Sequence, residues 1–355
     1  DTRTKLEVYL ELRKTEENIV VPVHPRLYIY DFLEKKNLGI VPLSGISNSK
    51  TLYCNELGYY SDYLSDRYGF NNPDAEWDQS EVEYVLVGDS YTLGACVHRP
   101  HDMASVLRTL TKKPVLNLGY GGNGELLKYA TLREYLNPNV KKILWMFMEG
   151  NDLLDMQNEL KSPILKNYIT NKNYTQNLIN RQKEIDEIAT KSINQTINKE
   201  AEDQKNKNIE YKNIQQKIKD IKFFTKSKNF VKLYNTRSQL FKPKNVIPKE
   251  FEYNLRMTNE LAKANNSELY FVYLPIHHRY SKNISNIAYN FDYSIYEKIK
   301  QIVDSNEIPF VDIPRKVFDL EDDPLNLIPF KIDGHYNIEG YKKIALEIYK
   351  KTSNK

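Results

Sequence analysis

The sequence predicts an α/β protein, a three-layer α/β/α sandwich built on a five-stranded parallel sheet. Strand-like apolar runs alternate with helical patterns from residue 82 to 152, and the same alternation resumes at Pro248. This alternation is typical of parallel sheets with right-handed crossovers. In addition, the run from Ile143 to Met148 is continuously apolar, as expected of a strand that is buried on both faces.

The elements follow in order along the chain. The predicted strands are Val82–Val87, Pro114–Leu118, Lys142–Met148, Glu268–Leu274 and Pro309–Ile313. The first predicted helix has Asp102 as its cap and ends near Thr111. The other predicted helices are Glu125–Leu136, Lys249–Ala264, Asp292–Asn306 and Ile338–Lys351, and Asn337 caps the last of them. Each cap is a short polar side chain that accepts a hydrogen bond from the first helical turn.

Two regions do not follow this pattern. Residues 1–80 are interpreted as an N-terminal extension packed on the core, with a helix over 5–14 and extended pieces at Arg26–Tyr30, Gly39–Leu43 and Thr51–Cys54. Its polar and aromatic residues are assigned to surface packing, with one wall of a carbohydrate site as the alternative. Residues 155–247 are interpreted as a helical insertion, which divides the core domain into 81–154 and 248–355. Within it, Asn194–Lys222 has the narrow apolar stripe of a solvated helix. A lid or a partner-binding arm is the alternative.

Composition excludes some classes of function. The net charge is only +4, and charged residues of both signs are plentiful, so no nucleic-acid partner is expected. The longest apolar run is too short to span a membrane. A basic run at Lys226–Lys232 suits an anionic polymer, but such runs are usually solvated surface. The two cysteines, Cys54 and Cys96, permit one disulfide, and we expect two buried free thiols instead.

The stretch Val85–Thr92 carries the predicted chemistry. Acyl transfer needs a nucleophile, a base, an orienter for the base and donors for the oxyanion. Ser90 follows a strand and is the candidate nucleophile, His335 is the candidate base, and Asp333 is its candidate orienter. The backbone N–H groups of Ser90 and Gly122 and the side-chain amide of Asn151 are the candidate oxyanion donors. These loops follow strands at one edge of the sheet, where open α/β folds bind ligands.

The blocks Gly88–Ser90, Asn117–Gly122, Gly150–Asp152 and Asp333–His335 resemble, in this order, the four motifs of the SGNH (GDSL-like) hydrolase superfamily. Two positions depart from the usual pattern: Glu149 replaces a glycine in the third block, and the aspartate of the last block stands two residues before the histidine, with Ile332 at its usual place. The shorter Asp-x-His spacing is similar to that of acyltransferase-like members acting on exopolysaccharides.

The resemblance implies a flavodoxin-like SGNH fold and the catalytic roles given above, with no metal and no organic cofactor. It implies a serine esterase that removes O-acyl groups, above all O-acetyl, from a carbohydrate or polysaccharide. A polysaccharide O-acetyltransferase with the same triad is one alternative, and an inactive glycan-binding or assembly protein is another. The expected location is bacterial and periplasmic or otherwise extracytoplasmic, in preference to the cytoplasm. The first residue is Asp1 and not Met, so a removed signal or anchor is part of this expectation. The oligomeric state is not predicted.

Each residue also has a purely structural interpretation. Alone, Ser90 would be a turn residue, His335 a helix cap and Asn151 a brace for its loop. His277 and His278 form a possible metal pair, but without a nearby carboxylate motif we interpret them as loop residues. His98 and His101 are expected to pack in their loop near the nucleophile, and Asp89 to brace it.

Overall fold

The central sheet has five strands, all parallel, as the sequence predicts. The computed structural model describes residues 1–33, 39–136, 139–199, 246–281 and 293–353. Its strands, numbered in chain order, are β1 Ile19–Val20, β2 Lys50–Leu52, β3 Asp62–Leu64, β4 Val82–Val87, β5 Val115–Asn117, β6 Val140–Met148, β7 Glu268–Leu274 and β8 Phe310–Asp312. The order across the central sheet is β5-β4-β6-β7-β8. This is the flavodoxin-like order, in which ligands bind beyond the carboxyl ends of the strands where the order reverses.

Helices cover both faces of this sheet. In the described part of the chain they span Lys5–Leu12, Pro25–Leu33, Ser90–Leu93, Met103–Thr111, Glu125–Tyr135, Asp152–Glu159, Pro163–Thr170, 182–199, Lys249–Ala264, Tyr293–Ser305, Ile313–Lys316 and Ile338–Ser353. Within β6, the neighbours Trp145 and Met146 belong to different apolar clusters, one shared with Glu125–Tyr135 and the other with Ile338–Ser353. Alternate strand residues therefore face two helical layers, and the three-layer prediction is confirmed.

The predicted core elements agree closely with the structure. The strands Val82–Val87 and Glu268–Leu274 and the helix Lys249–Ala264 have the predicted bounds, and the ends of the others differ by at most two residues. Asn337 caps the last helix as predicted, since its side-chain oxygen accepts the backbone N–H of Gly340 at 2.9 Å. Asp102 likewise accepts the backbone N–H of Ser105 at 3.0 Å.

The N-terminal region differs more from prediction. It holds a small sheet in the order β1-β2-β3 and the helix Lys5–Leu12, which matches the predicted helix. However, Arg26–Tyr30 is not extended but lies within the helix Pro25–Leu33, and Gly39–Leu43 forms no strand. A proline at the first helical position favours a helix start, and burial of Tyr28 and Ile29 in the core outweighs their strand propensity.

The N-terminal region and the described part of the predicted insertion pack together. The backbone N–H of Val41 donates to Oε1 of Gln176 at 2.8 Å, and that of Ser47 to Oδ1 of Asp186 at 2.9 Å. Domain boundaries at residues 80, 154 and 247 stay predictions. Of the solvated helix predicted at Asn194–Lys222, residues 194–199 are helical; the rest of it, and the basic run Lys226–Lys232, lie outside the described residues. Within the described ranges no helix combines the length and apolarity needed to cross a membrane.

Candidate active site

Ser90 begins the short helix Ser90–Leu93 at the carboxyl end of β4. The residue before it, Asp89, caps that helix with a side chain that accepts the backbone N–H of Tyr91 at 2.9 Å. Burial of the Asp89 side chain raises the pKa of its carboxyl. The positive charges of Lys128 and His335 lower this pKa, but burial outweighs them. The structure thus places Asp89 where it fixes the turn that presents the Ser90 hydroxyl.

The loop after β5 holds this turn from the other side. The side-chain amide of Asn117 donates to the backbone oxygen of Thr92 at 2.8 Å, and its oxygen accepts the backbone N–H of Gly119 at 2.9 Å. The N–H of Tyr120 donates to the backbone oxygen of Gly88 at 3.1 Å. Hydrogen bonds between buried groups therefore link the turn Gly88–Ser90 to the glycine-rich loop. Such bonds are stronger in a dry site than in water.

His335 contacts Ser90 and a carboxylate at the same time. Its Nε2 lies 2.8 Å from Ser90 Oγ, and its Nδ1 lies 2.9 Å from Oε1 of Glu56. Since a carboxylate only accepts hydrogen bonds, Nδ1 carries the proton and the lone pair on Nε2 is left to accept from the serine hydroxyl. The predicted nucleophile and base, 245 positions apart, are brought into direct hydrogen-bond contact.

Glu56 lies on the connection between β2 and β3 and is held ionised beside the imidazole. Burial of its side chain opposes ionisation, but hydrogen bonds and the charge of His335 outweigh burial and lower the pKa of the Glu56 carboxyl. The same carboxylate accepts the backbone N–H of His335 at 2.6 Å. An ionised carboxylate at Nδ1 fixes the tautomer of a histidine base and stabilises its protonated form.

This arrangement corrects the prediction that Asp333 orients His335. The Asp333 side chain is 63% exposed and lies 3.7 Å from Nδ1 of His278, whereas Nδ1 of His335 faces Glu56. The physical reason lies at Gly334, where a Cβ would be only 2.7 Å from Oε2 of Glu56. The absence of a side chain there admits the glutamate, and the position of the orienter is already filled.

A disulfide joins the segment that carries Glu56 to the segment that carries Ser90. Cys54 and Cys96 are bonded, with Cα atoms 5.0 Å apart, so the prediction of two free thiols is wrong. The two cysteines are far apart in sequence but lie on facing loops, one after β2 and one after the helix Ser90–Leu93. Sγ of Cys96 is also 3.8 Å from Nδ1 of His335, which places the disulfide against the imidazole.

The predicted oxyanion donors lie on the loops that follow β5 and β6. Gly122 has φ +77°, a backbone conformation that glycine adopts without strain. The side-chain amide of Asn151 donates to Oδ2 of Asp155 at 2.9 Å and also acts on the buried Asp89 carboxyl next to Ser90, whose pKa it lowers. Asn151 therefore lies near the turn of Ser90, and Gly122 follows Tyr120, whose N–H is bonded to Gly88 in that turn. The role of both residues as oxyanion donors stays a prediction.

His24 positions the peptide group that contains the N–H of Gly122. Its Nδ1 lies 2.7 Å from the backbone oxygen of Gly121, and because a carbonyl only accepts, Nδ1 is the protonated nitrogen. Burial lowers the pKa of His24, which favours the neutral ring. In a trans peptide the C=O and N–H point in opposite directions, so holding the oxygen of Gly121 also fixes the direction of the next N–H.

Glu149, which replaces the usual glycine of the third motif, forms a buried ion pair. Its carboxylate accepts from Arg279 at 2.8 Å and from the backbone N–H of Ile276 at 3.0 Å. The side chains of the pair are 0% and 6% exposed, and buried ions of this kind need such additional hydrogen bonds. The departure from the motif thus ties the end of β6 to the loop after β7.

Glu56 and His24 were not identified from the sequence. Both lie in the N-terminal region, which the sequence interpretation assigned mainly to surface packing. Glu56 stands 279 positions from its partner, and no spacing rule connects residues so distant. The aromatic and polar character of that region was the one signal that it lines a site. His98 was expected to pack in its own loop, but it stacks on Tyr59 of the connection between β2 and β3, with ring centroids 5.1 Å apart.

Neither a family model nor a curated protein sequence matches the chain. Among solved structures, it is similar to a member of the lipolytic protein G-D-S-L family from Veillonella parvula, with 12% identity, a TM-score of 0.39 and coverage of 77% of this chain and 100% of the other. It is likewise similar to an acetylxylan esterase from Geobacillus stearothermophilus, with 12% identity, a TM-score of 0.40 and coverage of 77% and 95%. Because both the sequence identities and the TM-scores are this low, the chemistry of this chain has to be inferred from its own site. In that site Ser90, His335 and Glu56 form one hydrogen-bonded series.

Proposed function

We propose that the protein is a serine-dependent esterase that removes O-acyl groups from a carbohydrate through an acyl-Ser90 intermediate. The observation that carries this proposal is the series Ser90 Oγ, His335 and Glu56, with consecutive contacts of 2.8 and 2.9 Å. A hydroxyl, an imidazole and an ionised carboxylate in this order are the components of an activated nucleophile.

The proposed reaction has two steps. Ser90 Oγ attacks the ester carbonyl while Nε2 of His335 takes the hydroxyl proton, and the carbonyl oxygen becomes an oxyanion. Collapse of this intermediate breaks the bond to the sugar oxygen, which leaves as an alcohol with the proton from Nε2. Water then attacks the acyl-serine, again giving a proton to the imidazole, and the carboxylic acid and free Ser90 are released. Glu56 stabilises the imidazolium that forms in each step.

Support for a carbohydrate substrate comes from the resemblance of the last motif, Asp333–His335, to that of acyltransferase-like members acting on exopolysaccharides. A second candidate is an O-acetyltransferase, because the spacing of Asp333 and His335 in the sequence is similar to that of exopolysaccharide acyltransferases. This support comes from the sequence motif alone, since His335 faces Glu56 and not Asp333. Both reactions use the same acyl-enzyme and differ in the acceptor, which is water for hydrolysis and a sugar hydroxyl for transfer.

The test compares hydrolysis of an aryl acetate with and without a glycan acceptor. An esterase releases acetate at the same rate in both cases and deacetylates an acetylated glycan, whereas a transferase yields acetylated acceptor. If the protein binds glycan but turns over neither ester, both enzyme candidates fail and a glycan-binding protein is left.

Replacing the side-chain amide of Asn151 tests its role as an oxyanion donor. We expect Asn151→Ala to lower kcat by about 10²–10³-fold with little change in KM, because loss of one preorganised donor affects the transition state and not the bound ester. Steady-state kinetics on an aryl acetate measures both constants. Asn158→Ala, at the opposite end of the helix that Asn151 caps, is the control, and equal losses in the two variants would contradict the role.

Breaking the disulfide is expected to affect both stability and turnover. In the chain-entropy treatment a bridge spanning 42 positions stabilises by about 4 kcal/mol, so Cys54→Ser/Cys96→Ser is expected to unfold at lower denaturant. Turnover should fall at temperatures where the variant is still folded, because Glu56 is then no longer tied to the nucleophile segment. Urea unfolding and kinetics on the same preparation separate the two effects. Unchanged turnover in the folded variant would show that the small sheet holds Glu56 by itself.

A further inference from the structure

Two histidines and an aspartate outside the proposed triad form a compact group of possible metal ligands. His277, His278 and Asp333 each offer one ligand atom, and these three atoms lie within 4.8 Å of one another. The histidines follow β7, and the aspartate belongs to the loop that carries His335. The sequence interpretation set the histidine pair aside because no carboxylate stood near it in sequence, and the fold supplies one.

The hydrogen bonding of His277 leaves a lone pair free toward this group. The residue is only 6% exposed, and its Nε2 lies 3.3 Å from the backbone oxygen of Lys331. Because that oxygen can only accept, Nε2 carries the proton and Nδ1 of a neutral ring holds the lone pair. Nδ1 is buried and has no hydrogen-bond partner among the residues that the structure describes, an arrangement that costs free energy unless a ligand satisfies it.

We propose that His277, His278 and Asp333 bind a divalent transition-metal ion, with Zn²⁺ as the ion that this ligand set suits best. Two imidazole nitrogens and one carboxylate oxygen match the preferences of Zn²⁺, and water would complete the tetrahedron. The contact from Nε2 of His277 to a backbone carbonyl is the outer-shell hydrogen bond that orients histidine ligands. A side-chain exposure of 63% at Asp333 gives the ion a path from solvent.

The ion would tie the loop after β7 to the loop of the proposed base. The hydroxyl of Tyr336 already donates to the backbone oxygen of Pro275 at 2.5 Å, so these two loops are in contact next to the site. On the other side, the buried pair of Glu149 and Arg279 fixes the same β7 loop. A bound metal would add a third connection, and it would take Asp333 as a ligand rather than leave it available to His335.

The test is a titration of the full chain, treated with EDTA and dialysed, with Zn²⁺ alone and then with Co²⁺. We expect saturable binding of one ion per chain by calorimetry, visible absorption bands from Co²⁺ and a rise of roughly 3–6 °C in Tm at a hundredfold excess over Kd. Loss of an outer-shell partner weakens metal binding roughly 10–100-fold. Removal of a direct ligand in His278→Ala is therefore expected to exceed that loss.

Asp333→Asn is the second ligand variant, and because this side chain is exposed, the variant is expected to fold as the unmodified protein does. His101→Ala and Asp322→Asn remove the same side-chain types at exposed positions and should bind as the unmodified protein does. The absence of saturable binding, or binding that survives in both ligand variants, would overturn the proposal. None of these readouts depends on ester turnover, so the proposed function is tested separately.

Discussion

Ser90→Ala is expected to lower the turnover of an aryl acetate by roughly 10⁵–10⁶-fold, the range seen when a serine nucleophile is removed from a triad. The hydroxyl donates to Nε2 of His335 at 2.8 Å, and its loss leaves no atom to form the acyl-enzyme. The fold should be unaffected, since the helix Ser90–Leu93 is capped by Asp89 and not by the serine side chain.

Two measurements check this result. Steady-state kinetics gives the loss of turnover, and mass spectrometry after incubation with an acyl donor should show an adduct on the unmodified protein and none on the variant. Ser353→Ala, at the exposed end of the last helix, is the matched control and should keep full activity. A Ser90→Ala protein that still turns over ester would remove the basis of the proposed function.

The core of the fold was predictable because its signals are local. The apolar run that ends at Met148, the caps Asp102 and Asn337 and the glycine-rich loop after β5 each constrain their own segment. Parallel strands also meet at one edge by geometry alone, so the proximity of Ser90 and His335 followed once the strands were assigned. Local rules of this kind need no knowledge of distant partners.

The N-terminal region was not predictable for the opposite reason. Its strands are two or three residues long, and the helix Pro25–Leu33 has the aromatic and β-branched residues of a strand. Tertiary packing decides such segments. The pairing of Cys54 with Cys96 and the contact of Glu56 with His335 depend on how this region lies across the core, which no pattern within it specifies.

The position of Glu56 leads to the second large expected effect. Glu56→Gln should lower kcat by about 10³–10⁴-fold, because the variant keeps nearly the same volume but loses the negative charge that stabilises the imidazolium, and its amide can hold the imidazole in the wrong tautomer. Glu56→Asp keeps the charge on a shorter side chain and should recover part of the loss. Kinetics on an aryl acetate, with circular dichroism to confirm folding, measures both variants.

Asp333→Asn is the matched control, since it makes the same kind of change at the other carboxylate that the sequence places near His335. In EDTA-treated protein we expect it to stay within about threefold of the unmodified enzyme, because an exposed side chain that does not contact the imidazole contributes little to its charge. The opposite ranking, a large loss for Asp333→Asn and a small one for Glu56→Gln, would show that the aspartate turns to Nδ1 during turnover. The comparison therefore decides which carboxylate the histidine uses, and with it whether the N-terminal region is a catalytic part of the protein.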